Sequence, residues 1–147
     1  VNLEKLTSEI KRDEGLRLNA YQCPTGHWTI GWGHNLEAHE HGSGYSNTVI
    51  SLHDAEGFLD DDIVEAVERA KAFVPEYVWD MLTDTRKRVL VNMAFNLGNK
   101  LRGFRVLRGC VIASDWEGAA DAMLDSLWAH QVGARAIRLS KMMEAGE

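Results

Sequence analysis

Residues 14–34 read EGLRLNAYQCPTGHWTIGWGH. The stretch places an acid (Glu14), a thiol (Cys23) and a hydroxyl (Thr29) around what its pattern predicts to be one tight hairpin over 17–35. Pro24-Thr25-Gly26 supplies the turn: proline presets one backbone angle and glycine tolerates the reversal. Beyond the turn, Trp28, Ile30 and Trp32 alternate with Thr29, Gly31 and Gly33. A period of two predicts a strand with one bulky face and one bare face. Glycines on the bare face let another backbone or a ligand approach closely.

Upstream, residues 2–13 predict an amphipathic helix. Leu3, Leu6, Ile10 and Glu14 follow steps of three and four and so share one face. Glu14 therefore has two readings. On the apolar stripe it is a partly desolvated acid, and desolvation disfavours the charged form of a carboxyl, which suits a general acid at neutral pH. Alternatively it turns outward and merely ends the helix before Gly15, because carboxylates are rarely buried without a partner.

Downstream, residues 37–48 are polar and glycine-containing and predict a loop. His34, His39, Glu40 and His41 invite a metal reading, but their spacing matches no zinc pattern, and no metal or cofactor is expected. Ser51 with Asp54 forms a capping-box-like start to a helix whose stripe is Leu59, Ile63, Val67, Ala70 and Phe73 or Val74, ending before Pro75. A further helix is predicted from Asp84 to Leu97, with Val89, Leu90, Met93, Ala94 and Leu97 inward and Gly98 as its stop. Shorter helices are expected at 105–113, 115–128 and 134–144, with Trp116 and Trp128 as core anchors.

The expected class is α+β and bilobed. A small β-hairpin lobe (about 14–55) is joined by a long helix to a mainly helical lobe (1–13 and 56–147). A cleft between the lobes is the natural ligand site.

The 147 residues suffice for one domain with a real core. Two prolines and no low-complexity run leave no evident linker. A net charge of −6 argues against nucleic acid and against adsorption to an anionic surface. The densest basic cluster, Arg86-Lys87-Arg88, falls inside a helical pattern and reads as a solvated face. Two cysteines make no disulfide framework, and Cys110, among Val106, Leu107 and Val111, reads as a small buried hydrophobe. No secretory or membrane-spanning segment is evident, and a monomer is expected.

The run from Glu14 to Tyr21, then Gly26, then Thr29 to His34, resembles the active-site signature of phage-type lysozymes, glycoside hydrolase family 24 of the T-even phage type. The helix from Ser51, the segment Asn92–Gly98 and the segment Trp128–Arg135 follow in the family's order, so the resemblance covers most of the chain. It implies a bilobed endolysin that hydrolyses the β-1,4 bond between N-acetylmuramic acid and N-acetylglucosamine in peptidoglycan. Glu14 would be the general acid. Thr29 would orient a water on the opposite face of the sugar; on spacing alone it is an ordinary strand threonine.

Cys23 departs from the pattern, since many members carry aspartate there, although some carry cysteine. A thiol with an ordinary pKa of about 8.5 is mostly neutral at pH 7 and would need a lowered one to act as base or nucleophile. The family outcome is inversion; a thiol nucleophile would give retention. The resemblance also matches Arg135 to an arginine near the catalytic acid, the alternative being a surface arginine. It matches Asn96 and Gln131 to polar substrate-binding positions, and His34 with Asp62 to a structural pair. It places such an enzyme in the host cytoplasm until a holin releases it to periplasmic peptidoglycan. Two other classes fit less well: a catalytically impaired peptidoglycan-binding module, supported only by Cys23, and a metal-binding regulator using the loop histidines.

Overall fold

Helix α1 (Leu3–Glu14) forms on the apolar stripe, with Leu6 and Ile10 fully buried. Leu3, expected on the same face, is 56% exposed in the first turn, so only the middle of the stripe is core. The computed structural model describes residues 1–38 and 44–147. His39, Glu40 and His41, and with them part of the expected loop, lie outside the described residues.

Strands β1 (Arg17–Gln22), β2 (Trp28–Gly31) and β3 (His34–Asn35) make an antiparallel sheet in the order β1-β2-β3. Tyr21 opposes Thr29 and Gln22 opposes Trp28, with an irregularity between Arg17 and Tyr21. The turn is closed by the Gly26 N–H donating to the Cys23 carbonyl at 2.8 Å and the Cys23 N–H donating to the His27 carbonyl at 2.9 Å.

The alternation from Trp28 to Gly33 is not one strand. Gly31 and Gly33 adopt φ of +65° and +71° and fold the chain back through Trp32, so His34 opposes Ile30. These glycines are corners that L side chains rarely tolerate, rather than a bare strand face. The outer edge of β1 is met by residues 48–50: Ala20 N–H donates to the Thr48 carbonyl and Ile50 N–H to the Leu18 carbonyl, both at 2.9 Å.

Helix α2 (Leu52–Phe73) starts on the expected capping box: the Asp54 N–H donates to Ser51 Oγ at 3.1 Å and the Ser51 N–H to Asp54 Oδ2 at 3.3 Å. Its buried stripe is Ala55, Leu59, Ile63, Ala66, Ala70 and Phe73, with Ala66 taking the place expected for the half-buried Val67. His34 Nδ1 lies 2.8 Å from Asp62 Oδ2, and the His34 ring stacks on Phe58 at 4.2 Å. That pair ties β3 to α2, as its structural role requires.

The chain divides into two compact units, Glu4–Val64 and Val1–Leu3 with Glu65–Glu147. The boundary falls inside α2, not at 55/56, and most of α1 belongs with the sheet, whereas the sequence grouped 1–13 with the helices. The cause is visible around Lys11, whose ammonium pairs with Glu56 at 2.9 Å and sits 4.4 Å over the Trp32 ring.

The larger unit holds α3 (Glu76–Met81), α4 (Asp84–Leu97), a 3-10 stretch (Gly98–Gly103), α5 (Arg105–Ile112), α6 (Trp116–Leu124), α7 (Leu127–Val132) and α8 (Ala134–Ala145). Helix α6 packs on α5 and α8, and α4 packs on α8. The predicted helix 115–128 breaks at Asp125–Ser126, where the Ser126 hydroxyl accepts from the Ala129 N–H at 3.1 Å and caps α7. Val89, Leu90, Met93 and Ala94 are fully buried, as their spacing predicts.

The basic cluster is not a solvated face. Arg86 and Arg88 are buried. Arg86 donates to the Met143 and Glu144 carbonyls at 2.8 and 2.9 Å, with its guanidinium 3.7 Å over the Trp116 ring. It thus satisfies carbonyls at the end of α8, where a cation is also favoured by the helix dipole. Trp116 is accordingly half-buried over that arginine, while Trp128 is the core anchor expected. Cys110 is only half-buried, since Val106 beside it is 71% exposed.

Candidate active site

Glu14 ends α1 half-buried, against the backbone at Gly33. A Cβ built on Gly33 would lie 2.5 Å from Glu14 Oε2 and 2.8 Å from its Cδ. The missing side chain at Gly33 is therefore the space the Glu14 carboxyl occupies. The motif glycine has two jobs, a positive φ and room for the acid.

Cys23 and Thr29 stand on either side of the β1–β2 turn. Thr29 is 5% exposed, and its hydroxyl donates to the His27 carbonyl at 3.0 Å. Cys23 is half-buried, with Sγ 3.1 Å from the Thr25 hydroxyl. Burial pushes the Cys23 thiol up, but hydrogen bonds outweigh it and hold the thiol below its ordinary value. They come from the Thr25 side chain, the backbone at His27 and Thr25, and the Thr29 side chain. The one Thr29 proton thus serves either the His27 carbonyl or the Cys23 sulfur. The His27 imidazole is engaged elsewhere: its Nδ1 pairs with Glu37 Oε2 at 3.2 Å, and the same carboxylate accepts from the Trp28 N–H at 2.7 Å.

Tyr21 is the residue sequence reasoning missed. Its phenol is pushed above its ordinary value by burial, then by the negative charge of Glu14, with Cys23 adding and Arg17 opposing. The Arg17 guanidinium lies 4.4 Å from the Tyr21 ring centroid. Tyr21 thus feels the charge of both the acid and the thiol, and its O–H stays neutral. The available signal was its place at the end of β1, two residues before Cys23.

Such a constellation suits glycosidic chemistry: a carboxylic acid able to donate, and a second group able to accept a proton from water. A model of the family described as phage lysozyme matches residues 11–144. The chain belongs to the phage lysozyme family. It is thereby a glycoside hydrolase of the lysozyme class. It is 36% identical over 115 residues to an endolysin of Acyrthosiphon pisum secondary endosymbiont phage 1, covering 76% of this chain and 69% of that one. It is 29% identical over 155 residues to the pre-baseplate central spike protein Gp5 of Enterobacteria phage T4, covering 93% of this chain but only 27% of that protein. A probable T4-type lysozyme of Dictyostelium discoideum is 25% identical, with 93% and 92% covered.

The remaining candidates of this phage lysozyme lie in the larger unit. Arg135, on α8, is 8% exposed and its Nε donates to the buried Asn92 Oδ1 at 2.9 Å, so it is not a surface arginine. Asn96 is exposed at the end of α4, and its Oδ1 accepts from Trp128 Nε1 at 2.9 Å. Phe104 meets the Trp128 ring edge-on at 6.2 Å. Gln131 is exposed on α7, three residues beyond Trp128. Asn96 and Gln131 thus flank one aromatic cluster. Among the described residues, no three His, Cys, Asp or Glu side chains are grouped to hold a metal. No described helix is long and apolar enough to cross a membrane.

Proposed function

We propose that this lysozyme is a muramidase cutting the β-1,4 bond between N-acetylmuramic acid and N-acetylglucosamine in peptidoglycan. Glu14 protonates the leaving glycosidic oxygen as its bond to the anomeric carbon breaks. A water attacks that carbon from the opposite face, giving its proton to the Cys23 thiolate while the Thr29 hydroxyl holds it. Asn96 and Gln131, both exposed, bind the glycan strand, whereas Arg135, expected among them, is buried on Asn92. The observation that carries the reading is Glu14 seated in the space at Gly33, on a hairpin whose turn holds a hydrogen-bonded Cys23 thiol.

The proposed setting is host-cell lysis by a phage or prophage, with the enzyme held in the host cytoplasm until a holin opens the way to the periplasm. The likeness to an endolysin supports it. The likeness to a central spike protein favours a second setting, the same chemistry used at entry. The competing class is a glycan-binding module disabled at Cys23. Reducing-end release from purified Gram-negative peptidoglycan separates them: turnover supports the muramidase, and binding without turnover overturns it. The anomer first released, α for inversion and β for retention, tells a thiolate base from a thiolate nucleophile.

A further inference from the structure

We infer that Thr25 is a positioning residue for the second catalytic group: its hydroxyl donates to the Cys23 sulfur and holds it as the thiolate that takes the water's proton. The inference rests on Cys23 serving the proposed hydrolysis, and it concerns how a thiol can stand where a carboxylate would.

A carboxylate needs no help to be ionised at pH 7, whereas an ordinary thiol is mostly neutral there. A thiol in that place therefore needs donors. Cys23 Sγ and Thr25 Oγ1 are 3.1 Å apart, within hydrogen-bonding range for sulfur. With the thiol neutral, either atom can donate. Once the thiol has lost its proton it can only accept, so the hydroxyl must be the donor. The charge thus fixes the direction of the bond and strengthens it.

The turn makes the geometry reproducible. Cys23 and Gly26 are joined backbone to backbone at 2.8 Å, Cys23 and His27 at 2.9 Å, and Gln22 Nε2 donates to the Gly26 carbonyl at 3.3 Å. Thr25 is carried on this closed loop, two residues from the sulfur. Thr29 is a weaker claimant to the same task, because its proton is also held by the His27 carbonyl at 3.0 Å.

The titratable and charged groups around this turn are His27 with its partner Glu37, and Tyr21 at the end of β1, on which Glu14 and Arg17 act in turn. Of these, none is bonded to Thr25 in the way the sulfur is. Removing the Thr25 hydroxyl should therefore move the thiol while leaving those groups in place.

The test uses the full chain with Cys110→Ser, so that Cys23 alone reports. Iodoacetamide alkylation is followed from about pH 5 to about pH 10, across the thiol range, beside kcat/KM for peptidoglycan hydrolysis. Thr25→Val should slow alkylation at neutral pH about fivefold, the worth of one ordinary hydrogen bond. It should shift the alkylation profile to higher pH, and the acid limb of hydrolysis should move with it. Thr25→Ser should restore both. An alkylation profile unchanged by Thr25→Val overturns the inference. So does a shifted alkylation profile with an unmoved acid limb, since Thr25 would then tune a thiol that the reaction does not use. If the parent enzyme releases no reducing ends, the muramidase reading fails, while the alkylation profile still decides whether Thr25 holds the thiolate.

Discussion

At the scale of single residues, the acid is defined by what it lacks as a neighbour. Gly33 leaves the space that the Glu14 carboxyl fills and bends the chain at φ +71°. Gly33→Ala should lower activity more than about tenfold by displacing the acid, while costing about 1–2 kcal/mol for a left-handed alanine. Activity assays beside denaturant melts would check this, and an active Ala variant would remove the packing argument. Glu14→Gln should lower turnover by about 100-fold or more, the usual worth of a general acid, with the melt unchanged. The Cys23 thiol sits below its ordinary value, so its thiolate is present above that lowered pKa and is lost as pH falls through it. Activity should accordingly fall on the acid side in wild type, and Cys23→Ser should lose far more than Cys110→Ser. The places of Glu14, Cys23 and Thr29 around one hairpin were legible because the motif fixes their spacing. Tyr21 and Thr25 were not: a strand tyrosine and a turn threonine look ordinary until the hairpin sets Thr25 against the Cys23 sulfur and Tyr21 in the field of Glu14 and Cys23.

At the scale of elements, the cap of α2 was legible, while the Ser126 cap that splits 115–128 and the buried charge were not. Ser51 and Asp54 read as a capping box and form one, so Ser51→Ala should cost about 1 kcal/mol in a urea melt. Arg86 and Arg88 read as surface because a charge run inside a helix usually is. For Arg86 the reason lies on α8 and α6, far along the chain: the carbonyls of Met143 and Glu144 and the ring of Trp116 receive it, whereas Arg88 bonds to Asp84 and Thr85 on its own helix. Arg86→Met should destabilise by about 3 kcal/mol, since it strips two bonds to a charged donor. Lys87→Met, by contrast, should cost under about 1 kcal/mol. Equal losses would return the cluster to a surface role. The strand break after Gly31 was illegible for a related reason. A glycine at every second position fits a bare face as well as two corners, and only the pairing of His34 with Ile30 decides.

At the scale of the molecule, composition and motif order carried the α+β class and the family, but not where one unit ends. The boundary after Val64 sits inside a continuous helix, with no proline or glycine at that point; Gly57 lies seven residues earlier and does not interrupt the helix. The net charge of −6 bears on function directly. Peptidoglycan is anionic, so raising ionic strength shortens the screening length from about 30 Å at 0.01 M to about 8 Å at 0.15 M and weakens long-range repulsion. Hydrolysis should hold steady or quicken over that range; a steep decline would point to a cationic docking surface instead. The central claim is that a thiolate at Cys23 does a carboxylate's work opposite Glu14. The most direct measurement is reducing-end release from purified peptidoglycan by wild type, Cys23→Asp and Cys23→Ala. Cleavage by wild type, kept in the aspartate variant and cut about 100-fold or more in the alanine variant, is the predicted result. An alanine variant as active as wild type, or a wild type that cleaves nothing while the aspartate variant cleaves, would contradict it.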